Sequence, residues 1–268
     1  MNGMIIGPRN GGKVTLLGSL SRSMVLKNQD GQEFIGTNSA IGDLNPPLMK
    51  WLEVGTLNFK GHPNDTGDCL YSFTIQAPSE NQSLGESLQF WKDKDKTNVS
   101  CLGVNYQDPA GTLFTQSTID HFKTSKFLII CDSAHNITEG YNTGHTNHFE
   151  NLAHLFLQMY SLDSSLKRIA FVITNASTLT EAQVSTPIDT TLDAIGSKVY
   201  EVFKTFCEPD VRFGFFLTEA LSISSDTLPR TLDQWTPHDT IDPFLFAVKS
   251  HTPKHELSLI ELEVKCKS

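Results

Sequence analysis

The chain has 268 residues, with 21 Lys and Arg against 30 Asp and Glu, a formal charge of −9 and 38% hydrophobic residues. That length suits one large domain with ample core, and the acidic balance without a long basic run excludes a surface that tracks a nucleic-acid backbone or an anionic membrane. No stretch reaches the roughly 20 apolar residues of a membrane span, and the N-terminus has no signal-peptide pattern, so a soluble, cytoplasmic protein with protein or small-ligand partners is expected.

In chain order, Gly3 to Ile6 reads as a first buried strand, followed by the Gly-rich stretch GPRNGGKVT, Gly7 to Thr15. Next comes a polar stretch at about 28–68, then an apolar run from Leu70 to Ile75, a second polar stretch at about 78–98, and the run Cys101 to Tyr106. Phe127 to Cys131 follows, then a polar stretch at about 136–147 and the helical spacing of Phe149, Leu152, Ala153, Phe156, Leu157 and Tyr160. Ile169 to Thr174 is another strand. Leu192, Ile195, Val199, Val202, Phe203 and Phe206 repeat the helical pattern, and Phe213 to Leu217 is a further strand. A last polar stretch at about 222–253 precedes LSLIELEV, Leu257 to Val264, whose alternation predicts an edge strand.

Continuous apolar runs, rather than alternating ones, are what strands buried on both faces look like. Strands alternating with helices predict an α/β fold with a doubly wound, mostly parallel sheet and helices on both faces. The four polar stretches are expected to be insertions in a single domain, 1–268, since strands or helices of the same sheet bound each one; long loops in a compact domain are often functional.

Within Gly7 to Thr15 the frame is G-x-x-x-x-G-K, with Gly7, Gly12 and Lys13 in place. A strand, a Gly-rich turn and a helix start would aim backbone N–H groups and the positive end of a helix dipole at a phosphate chain, and Lys13 would reach the β and γ phosphates. Gly7, Asn10, Gly11, Gly12, Lys13, Val14 and Thr15 form the nucleotide-binding set; an ordinary strand-to-helix turn is the plain alternative. After the run to Tyr106, Asp108 and Gly111 in DPAG offer a carboxylate for a magnesium-bound water and a bare N–H for a γ-phosphate. A D-P turn is the alternative there.

These stretches, with FLIICDS and IAFVITNAS, resemble the translation-factor-related class of P-loop GTPases, nearest to Ras-like and bacterial double-GTPase-type domains, over about Met4 to Ala220. The resemblance implies a P-loop, small-GTPase-like fold, a guanine or other nucleotide as ligand, Mg2+ with GTP or GDP as cofactor, and a switch function with protein partners. It also exposes departures. Val14 stands where the family has a magnesium-ligating Ser or Thr, and Thr15 points roughly 100° further round the helix. Thr112 follows D-x-x-G in place of a water-orienting Gln or Glu. In the guanine-reading position, Thr174, Asn175, Ala176 and Ser177 replace the [N/T]-K-x-D pattern, so Thr174 and Asn175 are base-side contacts without the carboxylate. LTEALS, Leu217 to Ser222, matches the second base-contacting loop poorly. Thr66, with Thr56 behind it, is the switch-threonine candidate and a metal contact beside Asp108. These departures imply slow hydrolysis or none, and at the limit an interaction module that keeps only the fold.

Other features read as structural. Cys69, Cys101, Cys131, Cys207 and Cys266 are scattered and odd in number, as reduced thiols are. His135, His145, His148 and His154 lack fixed acidic or cysteine partners and read as surface residues. Trp51, Trp91 and Trp235 read as small local cores. Asp132 is expected to cap a turn away from the phosphates.

Overall fold

Each apolar run becomes a strand, and the strands assemble in an order their sequence positions do not reveal. The protein is described by a computed structural model over residues 1–8, 11–13, 15–19, 69–76, 96–106, 115–139, 165–195, 197–219, 237–248, 253 and 255–267. Strands β1 (Asn2–Pro8), β2 (Cys69–Gln76), β3 (Lys96–Tyr106), β4 (Ser125–Ser133), β5 (Arg168–Thr174), β6 (Arg212–Thr218) and β7 (Glu256–Ser258) form one sheet. Its order is β2-β3-β1-β4-β5-β6-β7.

The five strands from β3 to β6 in that order are parallel to their neighbours, while β2 and β7 pair antiparallel at the two margins. The expected mostly parallel α/β sheet is therefore present. Its C-terminal edge gathers Pro8, Tyr106, Ser133, Thr174 and Thr218, five strand ends that lie far apart in sequence. The run Leu70 to Ile75 differs from the buried parallel strand it suggested. It is an antiparallel margin strand, and Leu70 is half exposed.

Helices cover both faces, because alternate residues of each buried strand point opposite ways. Met4, Ile6, Ile130 and Phe171 face α1 (Gln116–Thr124), α2 (Ala134–Glu139), α4 (Pro187–Ile195), α5 (Ser197–Phe206) and α7 (Leu259–Lys267). Ile5, Ile129 and Val172 face the helical residues 15–19 and α6 (Asp242–Ala247). The short α3 (Glu181–Ser185) begins at a Thr180–Gln183 capping box. Stacked Phe171 and Phe215, 5.4 Å apart on neighbouring strands, meet the edge of Phe203 from α5 at 5.8 Å from Phe171. Such pairs add about 0.5–1.5 kcal/mol each beyond burial and fix the helix on the sheet.

Several expected boundaries shift. The pattern from Leu192 to Phe206 is two helices, α4 and α5, with residue 196 outside the described residues. Lys96–Asn98, expected to close the second polar stretch, already belongs to β3, and Asn136–Glu139, expected to open the third, belongs to α2. The stretch 222–253 contains α6, whose Pro243 to Ala247 are buried beneath the sheet. The clearest correction is Leu257 to Val264. Strand geometry stops at Ser258, where the Ser258 N–H donates to Glu261 Oε2 at 2.7 Å and the Glu261 N–H donates to Ser258 Oγ at 3.3 Å. This reciprocal cap starts α7, which buries Leu262 and turns Ile260 and Val264 outward. The stretch 28–68 and the helical pattern at 149–160 lie outside the described residues. No helix among the described residues is long and apolar enough to cross a membrane.

Candidate nucleotide site

The central strand β1 has β3 on one side and β4 on the other, so the chain reverses its direction of winding there. In open α/β sheets, ligands bind outside the carboxyl ends of the strands at such a reversal. The Gly-rich stretch leaves β1 at this point.

The loop is tied locally. The Gly11 N–H donates to the Pro8 carbonyl at 3.1 Å, and the Leu16 N–H donates to the Gly12 carbonyl at 2.8 Å, the first bond of the following helix. Lys13 therefore sits in a first helical turn, whose N–H groups have no carbonyl one turn earlier to bond. Gly12 has φ +79°, and a Cβ there would come within 2.3 Å of Thr174 Oγ1. A Cβ at Gly7 would come within 2.2 Å of the Cys131 carbonyl oxygen. Only glycine lets the loop lie this close to β4 and β5.

Lys13 is 6% exposed. Its Nζ donates to the Gly7 carbonyl at 2.7 Å and to the Pro8 carbonyl at 2.6 Å, so the amine is drawn back across the mouth of its own loop. Burial lowers its pKa from 10.5 to about 8, against an opposing pull from Cys131 and Asp132. Burial likewise pushes the Cys131 thiol up to about 12, which keeps it protonated near neutral pH. Asp132 is the acidic neighbour that partly offsets the effect of burial on Lys13.

A lysine whose pKa is lower folded than unfolded destabilises the fold while it is charged. The unfolded chain holds more protons between pH 8 and 10.5, so stability rises with pH across that window. Relative to Lys13→Met, which keeps the stem without the charge, the wild-type chain gains on the order of 3 kcal/mol when urea melts are compared at pH 7 and above pH 10. Equal pH profiles for the two proteins would remove the buried charge from the account.

Of the residues the sequence singles out, Gly7, Gly11, Gly12, Lys13, Thr15, Thr174 and Asn175 come together at this edge. The Thr174 hydroxyl donates to the Gly11 carbonyl at 3.3 Å, which joins β5 to the loop. Thr15 is half-buried in the first helical turn, and Asn175 turns the chain in the left-handed region at φ 57°. Asn10, Val14, Thr66, Asp108, Gly111 and Thr112, with Thr56, lie outside the described residues; β3 leaves the sheet at Tyr106, paired with Pro8 at the loop's start.

Two acidic residues at this edge were missed or misplaced by sequence reasoning. Asp132 does cap a turn, accepting the Ser133 N–H at 2.8 Å and Asn136 Nδ2 at 2.7 Å. It is not remote, however. It lies near enough to Lys13 to oppose the loss of its proton. Glu219, the residue after β6, is 9% exposed and accepts the Ser177 N–H at 3.0 Å through Oε2. A carboxylate ending an apolar strand was the available signal for Asp132; Glu219 lies in LTEALS, the stretch at the expected second base-contacting loop, where it matched the family pattern poorly. His135 is exposed on α2, as expected, and no grouping of three His, Cys, Asp or Glu residues suited to a metal occurs among the described residues. Cys101, Cys131, Cys207 and Cys266 are free thiols, the first two fully buried.

No protein-family model matches the chain, and no curated protein matches it. Among solved structures it is similar to the signal recognition particle receptor SRb-GTP/SRX complex from Chaetomium thermophilum, at 13% identity and TM-score 0.49, covering 84% of this chain and 92% of that one. It is also similar to bacterial selenocysteine-specific elongation factor EF-Sec, at 10% identity and TM-score 0.38 over 94% of this chain, and spans 29% of that protein. A mutation variant of SsGBP shows 13% identity and TM-score 0.39, covering 93% of this chain and 56% of its own. All three fall below a TM-score of 0.5, and the chemistry of this site follows from its own residues.

Proposed function

We propose that this chain is a GTPase-like P-loop protein that binds a nucleoside di- or triphosphate, with its phosphates on Gly7 to Thr15. The observation that carries the reading is Lys13. Its ammonium is buried at the C-terminal edge of the central strand, in the first turn of a helix, and is bonded only through exchangeable contacts to two loop carbonyls among its described hydrogen bonds. A phosphate would meet the helix N-terminus, the loop amides and this amine together. Asn175 follows Thr174, whose hydroxyl donates to the Gly11 carbonyl, and is assigned to the base side of the ligand in this reading.

Magnesium needs oxygen donors. The Val14 side chain has none, and no grouping of three His, Cys, Asp or Glu residues suited to a metal occurs among the described residues. Mg2+ would arrive on the nucleotide's own phosphates, with Asp108 holding it through water and Thr66 as the switch contact. When bound, it would supply charge neutralisation at the β and γ oxygens. With Thr112 in place of a water-orienting side chain, turnover is slow, and the protein acts as a nucleotide-dependent switch toward a protein partner. A module that binds partners without any nucleotide is the competing role.

Fluorescent analogues of GTP, GDP, ATP and ADP, titrated with magnesium and with EDTA, test this directly. Sub-millimolar affinity that survives EDTA is expected, and Val14→Thr should make that affinity magnesium-dependent. Failure of all four analogues to bind at millimolar concentration would leave only the competing role.

A further inference from the structure

At the edge of the sheet opposite the phosphate loop, β5 begins at Arg168 and β6 at Arg212, and the two arginines are paired in register. Residues paired in this way share a face of the sheet, here the face that α6 covers. The Arg168 guanidinium lies over the Phe246 ring of α6, 5.0 Å from its centroid, a contact that suits a planar, weakly hydrated cation. Glu256 of the margin strand β7 is the carboxylate the two arginines share. Arg212 Nε donates to Glu256 Oε1 at 2.5 Å. Arg168 Nη1 stands 3.9 Å from the same oxygen, beyond hydrogen-bond reach. The side chains of Arg168 and Glu256 are 17% and 9% exposed, and that of Arg212 is 39% exposed.

Arg168 therefore carries its donors into a largely buried position and makes no hydrogen bond among the described residues; its Nε is shielded from solvent and has no partner. Burial pulls its pKa below the usual arginine value, Glu256 opposes that shift, and Arg212 adds to it. A buried charge is costly unless it is both paired and hydrogen-bonded. The nearby acids are committed elsewhere. Glu261 of α7 faces Arg212, but its Oε2 accepts from the Ser258 N–H and hydroxyl. Both carboxylate oxygens of Asp210 accept from Lys167 Nζ at 3.0 Å. An orphaned buried donor in a native fold calls for a reason, and a bound ion is one.

We propose that Arg168 and Arg212 form an oxyanion site at the base of the sheet, which takes a carboxylate or phosphate group on the two guanidiniums. Both arginines address one oxygen of Glu256, from 3.9 and 2.5 Å, so a single small anion can lie within reach of both. Two oxygens on one centre match the fork of a guanidinium and form parallel charge-assisted bonds with it. Such a group supplies the acceptors that Glu256 stands too far from Arg168 to give, and it turns two cations on one carboxylate into two cations on two anions. Lysine, a point charge without the fork, would not reproduce this. The site lies across the sheet from Gly7 to Thr15, so its occupancy does not depend on nucleotide.

The chain has five arginines, few enough for their Nε–H groups to be followed one by one by NMR, with Arg168 assigned from its loss in Arg168→Lys. Inorganic phosphate and acetate are titrated into the whole chain at constant ionic strength, with chloride as the balancing salt. A saturable shift of the Arg168 Nε–H with at least one of them is expected, half-complete at about 10 mM or below. It should persist in Lys13→Met, where the phosphate loop has lost its lysine. Arg212→Met, read from Arg168, and Arg168→Lys, read from Arg212, should each weaken it by at least about tenfold. The tighter anion names the source, phosphate for a phosphorylated ligand and acetate for a carboxylate side chain. No saturable shift with either anion, or a shift that chloride alone reproduces, overturns the proposal on the wild-type protein without recourse to a variant. A shift that disappears in Lys13→Met overturns it as well, by assigning the anion to the phosphate loop.

Discussion

Lys13→Met lowers nucleoside diphosphate affinity by about 30- to 100-fold at pH 7, the loss expected when a buried charge-assisted contact to phosphate disappears. The variant keeps the stem that fills the space beneath the loop, so its circular dichroism and urea midpoint should stay near or above those of the wild type. The buried ammonium burdens the empty site, and removing it relieves that burden. Affinity and stability should therefore move in opposite directions, which a merely structural lysine would not do. Isothermal titration and urea melts on the same preparation read both. The wild-type affinity should also weaken as pH rises through about 8, where the empty site loses the Lys13 proton. An unchanged dissociation constant in the variant would show that Lys13 serves the fold alone.

Gly7→Ala produces the largest loss of stability, about 2–3 kcal/mol, or a melting temperature lower by roughly 4–12 °C. The added methyl carbon would lie 2.2 Å from the Cys131 carbonyl oxygen. That neighbour is backbone, in a strand paired with β1, and cannot swing aside as a side-chain tip could. Relief requires β1 and β4 to part at the edge that carries the loop. Thermal and urea unfolding measure the loss, and nucleotide titration at low temperature should show weakened binding in the fraction still folded. A Gly7→Ala protein as stable as the wild type would mean that the close approach of loop and β4 is not a feature of the native state.

Much of the scaffold was readable locally. Ile169 to Thr174 and Phe127 to Cys131 are short apolar runs rich in β-branched and aromatic residues, as strands buried on both faces are, and both are central parallel strands. The edge expected at Leu257 to Val264 failed because period-two alternation over eight residues overlaps a helical face; Leu259, Leu262 and Cys266 also fit helical spacing. The Ser258-x-x-Glu261 cap decided between them and was itself visible in the sequence. The antiparallel margin strand at Leu70 was not legible, because direction depends on which neighbour a strand finds.

The sequence alone determined that a glycine-rich turn and a lysine follow a buried strand, since strand formation, turn chemistry and helix initiation are properties of consecutive residues. Only the tertiary structure decided that Thr174 closes against Gly12, that Asp132 neighbours Lys13, and that Glu219 reaches Ser177 across 42 positions of chain. Those contacts arise from sheet order. Parallel pairing brings the ends of strands from distant parts of the chain to one edge, and no local pattern encodes which ends will meet there.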